Sequence, residues 1–396
     1  MLYNLFHYLY SQGIDFPGIQ LMEYISFRAM MASVTGLLMS LFAGNKLIKV
    51  LQRHQIGETI RNLGLEGQMS KKGTPTMGGV IIIVSVLTGV LLFCDLGNIY
   101  TQLLILTTIW CGAIGFSDDY IKVYKHNKEG MSEKGKLILQ LGLGLIVAWA
   151  ICTSPNVNTH NLITTIPFVK NHEFDYSWLS VFSGQAGVYC TWTIYVIMIV
   201  LVVMACSNGT NLTDGLDGLA AGTSAIVGLV MGILAWVSSN KVTSDYLNIM
   251  FVPGAGDVAV FMIAFAGALL GFLWYNSFPA QVFMGDTGSL TIGGIIGVSA
   301  ILIRKELLLP ILCGIFLMES LSVIIQRVYF KYTKHKYGEG RRVFKMAPLH
   351  HHYQKEGITA LIDKPRMAIP EAKIVSRFWL VGIVLAVITL ALLKVR

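Results

Sequence analysis

Charge is scarce in this sequence. Only 13% of its 396 residues are Asp, Glu, Lys or Arg, while 54% are hydrophobic and the mean hydropathy is +0.63. Soluble domains carry roughly 25% charged residues, so an ordinary soluble fold is excluded and an integral membrane protein is implied. Paired cysteine spacing is also missing. Cys94, Cys111, Cys152, Cys190, Cys206 and Cys313 lie in or beside apolar runs with no CxxC, which fits small buried hydrophobes and neither disulfides nor metal ligands. The opening MLYNLFHYLYSQG lacks the basic start of a cleavable signal peptide, and Gly13 and Pro17 interrupt it before it could span a bilayer, so it reads as an interfacial segment. Internal repeats and low-complexity linkers are absent, which leaves a single integral membrane domain over 1–396 as the simplest organisation.

What the sequence does have is long apolar stretches. Windows of about 20 residues place spans near 25–46, 76–94, 101–117, 136–153, 188–206, 219–238, 257–275, 287–303, 307–326 and 376–393, an all-α polytopic architecture of ten transmembrane helices. The net charge of +8 is not spread evenly. Of the 30 Lys and Arg, 6 fall in 46–72, 5 in 122–136 and 12 in 327–377, loops that ten spans put on one side. The positive-inside rule makes that side cytoplasmic and both termini periplasmic, with Arg304 and Lys305 the one exception. Basic residues so placed face a lipid bilayer and its headgroups, not nucleic acid. The polar connection 154–187 reads as a small strand pair or cap on the outer face.

Five cytoplasmic loops from distant parts of the chain carry compact polar clusters. In GFSDDYIKVYK, a helix continuing past the apolar run aligns Asp118, Lys122 and Lys125 on one stripe and turns Asp119 about 100° away. A solvated helix end with an intrahelical ion pair is the plain alternative. In SNGTNLTDGLDG, Asn208, Asn211, Asp214 and Asp217 recur at every third position, which would line them along one helical face. In FMGDTGS, Asp286 opens an apolar helix, where it serves either as an N-cap or as a cation ligand. Lys71 and Lys72 precede GTPTMGG, in which Thr74 is a natural N-cap, Pro75 a natural first helical residue, and Gly78 and Gly79 suggest close packing. APLHHHYQ supplies His350, His351 and His352.

Asp118, Asp119, Asp214, Asp217 and Asp286 would thus gather five carboxylates at one membrane face. A cluster of that charge repels itself unless cations enter it. Mg²⁺ suits it, being held by one or two carboxylates plus substrate phosphates, whereas the lack of cooperating cysteine argues against zinc. Lysines and the histidine run are suited to donate to phosphate oxygen. Together these features describe phosphoryl chemistry at a membrane surface, between a nucleotide diphosphate and a lipid phosphate.

KKGTPTMGG, DDYIK, NGTNLTDGLDGL, NSFPAQVFMGDTGS and MAPLHHHY, in this order, resemble the polyprenyl-phosphate N-acetylhexosamine 1-phosphate transferases from about Lys71 to the last helix. The GTPTMGG and APLHHH forms are most similar to the muramoyl-pentapeptide branch, not to the branch using UDP-N-acetylglucosamine. The resemblance implies a Mg²⁺-dependent, dimeric enzyme of the bacterial inner membrane. Its expected reaction moves phospho-N-acetylmuramoyl-pentapeptide from UDP-N-acetylmuramoyl-pentapeptide to undecaprenyl phosphate, giving lipid I and UMP, the first membrane step of peptidoglycan synthesis. By the same resemblance Asp286 is a metal ligand, with Asp118 beside it, and Asp118 and Asp119 form the acidic pair, Asp118 being the favoured base. Asn211, Asp214 and Asp217 line the nucleotide side, and Asn276 and Phe283 are further cleft positions. Lys71, Lys122 and Lys134 are the loop lysines. His350 is counted with the catalytic residues, and His351 and His352 with the substrate-binding ones. Two departures are Tyr353 where Phe is common and the length of 154–187. A direct displacement and a two-step route through a phospho-aspartate both stay open, economy favouring the first.

Two other classes compete. A cation-coupled transporter would use intramembrane acids, but the acids fall at loop–helix junctions and no span is read as carrying an isolated interior charge. A basic scaffold that recruits anionic lipid would explain Arg341, Arg342 and Lys345 yet leave the acidic clusters idle.

Overall fold

Apolar runs of this length must satisfy their backbone internally once in lipid, and helices do so. The computed structural model describes residues 1–14, 18–53, 71, 73–125, 127, 129–154, 162–169 and 173–393. A short amphipathic helix, α1 (Leu2–Ser11), leaves Leu5, Tyr8 and Tyr10 exposed. It is followed by α2 (Ile25–Arg53), α3 (Gly79–Phe93), α4 (Ile99–Tyr124) and α5 (Glu133–Thr153). The antiparallel strands β1 (Ile163–Thr165) and β2 (Glu173–Asp175) form the strand pair expected within 154–187. Then come α6 (Gly184–Thr213), α7 (Leu219–Ser239), the short α8 (Lys241–Leu247), α9 (Gly256–Asn276) and α10 (Gly285–Leu302). The chain ends with α11 (Leu309–Leu312), α12 (Gly314–Tyr337), α13 (Leu349–Gln354) and α14 (Glu371–Ala391).

Among the described residues, eight helices are long and apolar enough to cross a membrane. All ten apolar stretches fold as helices, but two depart from the expected form. The stretch 76–94 becomes a helix only at Gly79 and has 15 residues, about 22 Å at 1.5 Å per residue, short of a hydrocarbon core of about 30 Å. Thr74 and Pro75 do not start it. The Pro75 carbonyl instead accepts from Phe283 N at 2.8 Å, while Gly78 N and Gly79 N donate to Phe283 O and Met284 O at 2.8 and 2.9 Å. Pairing with a distant extended segment here outcompetes local capping. The stretch 307–326 is not one straight span: Glu306–Leu312 and Gly314–Tyr337 meet at 78°.

At the centre, α10 is almost wholly enclosed and packs on α4, α6 and α3, while α9 packs on α2 and α7. Close approach of α3 and α4 to the start of α10 is set by glycine. A Cβ on Gly79 would lie 2.1 Å from Gly288 N, and one on Gly115 would lie 2.2 Å from Asp286 O. The packing expected of the GTPTMGG glycines is therefore present, and it brings three of the polar motifs to one end of the bundle.

Charge is buried at the opposite end too. Arg28, from α2, pairs with Asp257 of α9 at 2.6 Å. Arg304 and Lys305, the exception to the charge rule, are buried. Arg304 donates to Tyr195 Oη at 2.5 Å and Lys305 to Thr165 Oγ1 at 2.6 Å, while Tyr176 Oη donates to Glu306 at 3.0 Å, tying the strand pair to the bundle.

Candidate active site

The continuation of α4 to Tyr124 puts Asp118 and Lys122 on one face, as expected, with Lys122 Nζ 2.6 Å from Asp118 Oδ2. The pair is not merely a solvated helix end, because Asp118 is fully buried and Asp286 faces it. Lys136, in the first turns of α5, lies 2.9 Å from Asp118 Oδ1 and 2.5 Å from Asp286 Oδ2, and Lys122 reaches Asp286 Oδ1 at 3.3 Å. Two carboxylates and two ammonium groups thus alternate in a closed ring. Asn211, in the last turn of α6, donates to Asp286 Oδ1 at 3.0 Å and to Ser289 Oγ at 2.9 Å. Met131 N donates to Asp118 Oδ1 at 2.7 Å.

Asp119 points elsewhere, as a 100° step requires. Its Oδ1 accepts from Asp286 N at 3.1 Å, and its Oδ2 accepts from Thr287 N at 2.9 Å and Thr287 Oγ1 at 2.6 Å. Asp119 satisfies the free N–H groups at the start of α10 and so fixes where Asp286 stands. The N-cap role considered for Asp286 belongs to Asp119, supplied from another helix.

The expected helical row of Asn208, Asn211, Asp214 and Asp217 is cut short. Helix α6 ends at Thr213, because Asp214 and the glycines beyond it form a turn. Asn208 donates to Gln140 at 2.8 Å, Asp214 is half-buried in the turn, and Asp217 enters a second cluster. There Lys71 Nζ bridges Asp217 Oδ1 and Glu371 Oε1, both at 2.6 Å, while Asp217 Oδ2 accepts from Ala280 N at 3.0 Å. Asn276 accepts from Gly218 N at 3.2 Å and donates to Val282 O at 3.0 Å, joining this turn to the 277–284 loop. Lys71 Nζ lies 6.0 Å from the ring centres of Phe278 and Phe283. Lys72 lies outside the described residues.

The single five-carboxylate cleft is accordingly two centres. Among the described residues, Asp118, Asp119 and Asp286 can bring one oxygen each within 4.8 Å of one another. That set suits a hard divalent cation, and the Asp118 and Asp286 oxygens that would face it are paired with the Lys122 and Lys136 ammonium groups. The lysine ring supplies the neutralisation such an ion would supply.

The three histidines separate. His350 is fully buried, with Nδ1 3.2 Å from Glu319 Oε2. His352 is buried as well: Nδ1 accepts from Lys345 N at 3.1 Å and Nε2 donates to Lys364 O at 2.8 Å, so both ring nitrogens staple the 338–370 loop and neither is free for substrate. His351 is half-buried and pairs with Gln354 at 2.9 Å. Burial, with His350 beside it, pulls its imidazole down to about 4, and burial lowers His352 as well. The run of three phosphate donors therefore separates: His352 has both ring nitrogens engaged by the loop, His350 faces inward, and His351 stays half-exposed.

Lys134 is exposed on the first turn of α5, and it is Lys136, two residues on, that enters the ring. Lys136 stands at the first position of the 136–153 apolar window, where it reads as an interfacial anchor. Glu371 and Glu319 likewise carry roles that the motif spacing does not indicate. Glu371 follows Pro370 and reads as an ordinary acid at a helix start. Glu319 is an acid inside the 307–326 window and contradicts the reading that no span holds an interior charge. That signal was visible in the sequence.

The model for glycosyl transferase family 4 matches residues 101–304, and phospho-N-acetylmuramoyl-pentapeptide-transferase signature 1 matches residues 71–83. Over the whole of both chains the sequence is 56% identical to the phospho-N-acetylmuramoyl-pentapeptide-transferase of Parabacteroides distasonis. It is 54% and 53% identical, again over full lengths, to the proteins so named from Azobacteroides pseudotrichonymphae and Porphyromonas gingivalis.

Proposed function

The chain belongs to glycosyl transferase family 4 and, within it, to the phospho-N-acetylmuramoyl-pentapeptide-transferases, and we infer from this that it transfers phospho-N-acetylmuramoyl-pentapeptide from its UDP carrier to undecaprenyl phosphate. The products are lipid I and UMP, and the pathway served is peptidoglycan synthesis. The observation that carries the reading at the site is the ring of Asp118, Lys122, Asp286 and Lys136 at the start of α10. Ammonium groups that already bridge carboxylates at 2.5 to 3.3 Å are placed to exchange them for the oxygens of a diphosphate.

Asp118 and Asp286 would hold Mg²⁺ in this reading. When bound, the ion neutralises charge on the diphosphate and the departing UMP. The residues of the chain do the rest. Asp119 keeps Asp286 in place through the backbone of α10, and all its hydrogen-bonding to Asp286 N, Thr287 N and Thr287 Oγ1 would be lost if it moved to take a proton. Asp118 caps no backbone and is held by the Lys122 and Lys136 ammonium groups and the Met131 N–H, and once substrate phosphate draws those ammonium groups away it is the better base for the lipid phosphate. One phosphate oxygen of the lipid then attacks the β-phosphorus, the bond from that phosphorus to the bridging oxygen breaks, and UMP leaves. Lys122 and Lys136 follow the developing charge. The direct route is preferred because Asp118 and Asp286 already serve as ion partners and Asp119 as a cap. Lys71, Asp217, Asn276, Phe283 and the Asp214 turn form the nucleotide side, and His350 and His351 belong to the loop beside it.

The proposed setting is the bacterial inner membrane, crossed ten times by one catalytic domain that works as a homodimer. The motif loops face the cytoplasm and both termini the periplasm. Purified protein given UDP-N-acetylmuramoyl-pentapeptide, undecaprenyl phosphate and Mg²⁺ is expected to release UMP. No release from folded protein, or faster release with UDP-N-acetylglucosamine, would sink the assignment.

A further inference from the structure

Glu319 is the sole carboxylate in the Gly314–Tyr337 helix, and it is fully buried. An acid enclosed in an apolar helix is retained against a desolvation cost and usually marks function. Its partner comes from the 338–370 loop. His350 Nδ1 lies 3.2 Å from Glu319 Oε2, and the His350 backbone N–H donates to the same oxygen at 3.3 Å. One carboxylate oxygen thus accepts from the backbone of α13 at its start and lies beside the ring nitrogen without a formed hydrogen bond to it.

The other end of the imidazole points at the nucleotide-side turn. A Cβ on Gly215 would lie 2.1 Å from His350 Nε2, nearer than to any other atom, so the ring tip rests on a position that only glycine leaves open. His350 is fully buried, and neither ring nitrogen has a hydrogen-bond partner, Nδ1 having only its 3.2 Å contact with Glu319. The turn beneath it carries Asp214 and leads directly to Asp217, which pairs with Lys71 and whose backbone N–H donates to Glu371 at 2.8 Å.

We propose that Glu319 is a positioning residue for the transfer reaction: by holding His350 it seats the imidazole on Gly215 and sets the turn that presents Asp214 and Asp217. This rests on the function inferred above. Glu319 touches no substrate itself. It links the bent helix pair, through the histidine loop, to the nucleotide side of the site.

The test compares Glu319→Gln, His350→Gln and the double variant by UMP release. Glu319→Gln keeps the shape but removes the charge that orients the ring. It is expected to lower kcat/KM for the sugar nucleotide roughly 10- to 100-fold, the scale of a misplaced site element, with the loss carried by a raised KM because the turn lines the nucleotide side. In the double variant the two losses are not expected to multiply, as a shared pathway requires. Gly215→Ala, which pushes the ring tip away from the other side, should give the same rise in KM and serves if Glu319→Gln does not fold. Wild-type kcat/KM in folded Glu319→Gln or Gly215→Ala protein, or fully multiplicative losses, overturns the placement of Glu319 while an active wild type leaves the transferase reading standing. An inactive wild type would instead strike that reading.

Discussion

Arg28 and Asp257 at one end of the bundle, and Lys122, Lys136, Asp118 and Asp286 at the other, have equally short closest contacts, 2.6 and 2.5 Å. Their surroundings differ. Asp257 is saturated: besides Arg28 it accepts from Asp95 N at 3.1 Å and Asn98 Nδ2 at 2.9 Å, and the Arg28 side chain is only 6% exposed. In the ring each ammonium is shared between two acids, and the Lys122 side chain is 32% exposed. A planar guanidinium locked by fixed partners makes a joint, whereas compact ammonium groups on flexible stems can step aside for a ligand. The two ends should therefore fail in different ways. Asp286→Asn is expected to lower UMP release by roughly 10²- to 10³-fold, as losing a preorganised electrostatic partner does, with unfolding temperature little changed. Arg28→Met leaves Asp257 buried without its cation, which costs about 3–5 kcal/mol. It should lower the unfolding temperature in detergent, while the folded fraction keeps its turnover. If Arg28→Met slowed turnover without destabilising, or Asp286→Asn unfolded the protein, the contrast would collapse.

A finer cut lies within one helix turn. Lys136→Met removes an ammonium from both Asp118 and Asp286, whereas Lys134→Met removes an exposed charge. We expect a loss of about tenfold or more in UMP release for the first and less than about twofold for the second. Equal effects would return Lys134 to the site.

Much of this end is legible in the sequence. The DDxxK stripe, the close packing of the GTPTMGG glycines and the placing of Asp286 at a helix start follow from helical periodicity and small-residue spacing, and each is present. What failed needed knowledge of partners. A period-three row predicts a shared face only while the helix lasts, and α6 stops at Thr213. Thr74 and Pro75 make a good local start, but Phe283 offers the backbone a better partner from more than 200 residues away. Lys136, Glu371 and Asp119 acquire their roles across helices, where linear spacing carries no signal. Glu319 is different: a lone acid in an apolar window is legible in the sequence itself.

The smallest expected effect concerns the histidine loop, where the far-end rule of fixed partners operates beside the site. His351 titrates near 4 in the folded protein against 6.5 for the free side chain, because burial and neighbouring His350 disfavour its charge. Its burial is thus tolerated fully above about pH 6.5. As pH falls from there toward 4 the unfolded chain takes up the proton first, so stability is lost across that interval. His352, lowered by burial as well, acts in the same direction. The unfolding temperature should drop between pH 7.5 and 5, and His351→Gln should flatten that drop by about 2 °C while leaving the value at pH 7.5 nearly unchanged. A variant whose profile overlays that of the wild type would show that the loop does not hold His351 neutral, and would place the pH sensitivity among the carboxylates of the ring instead.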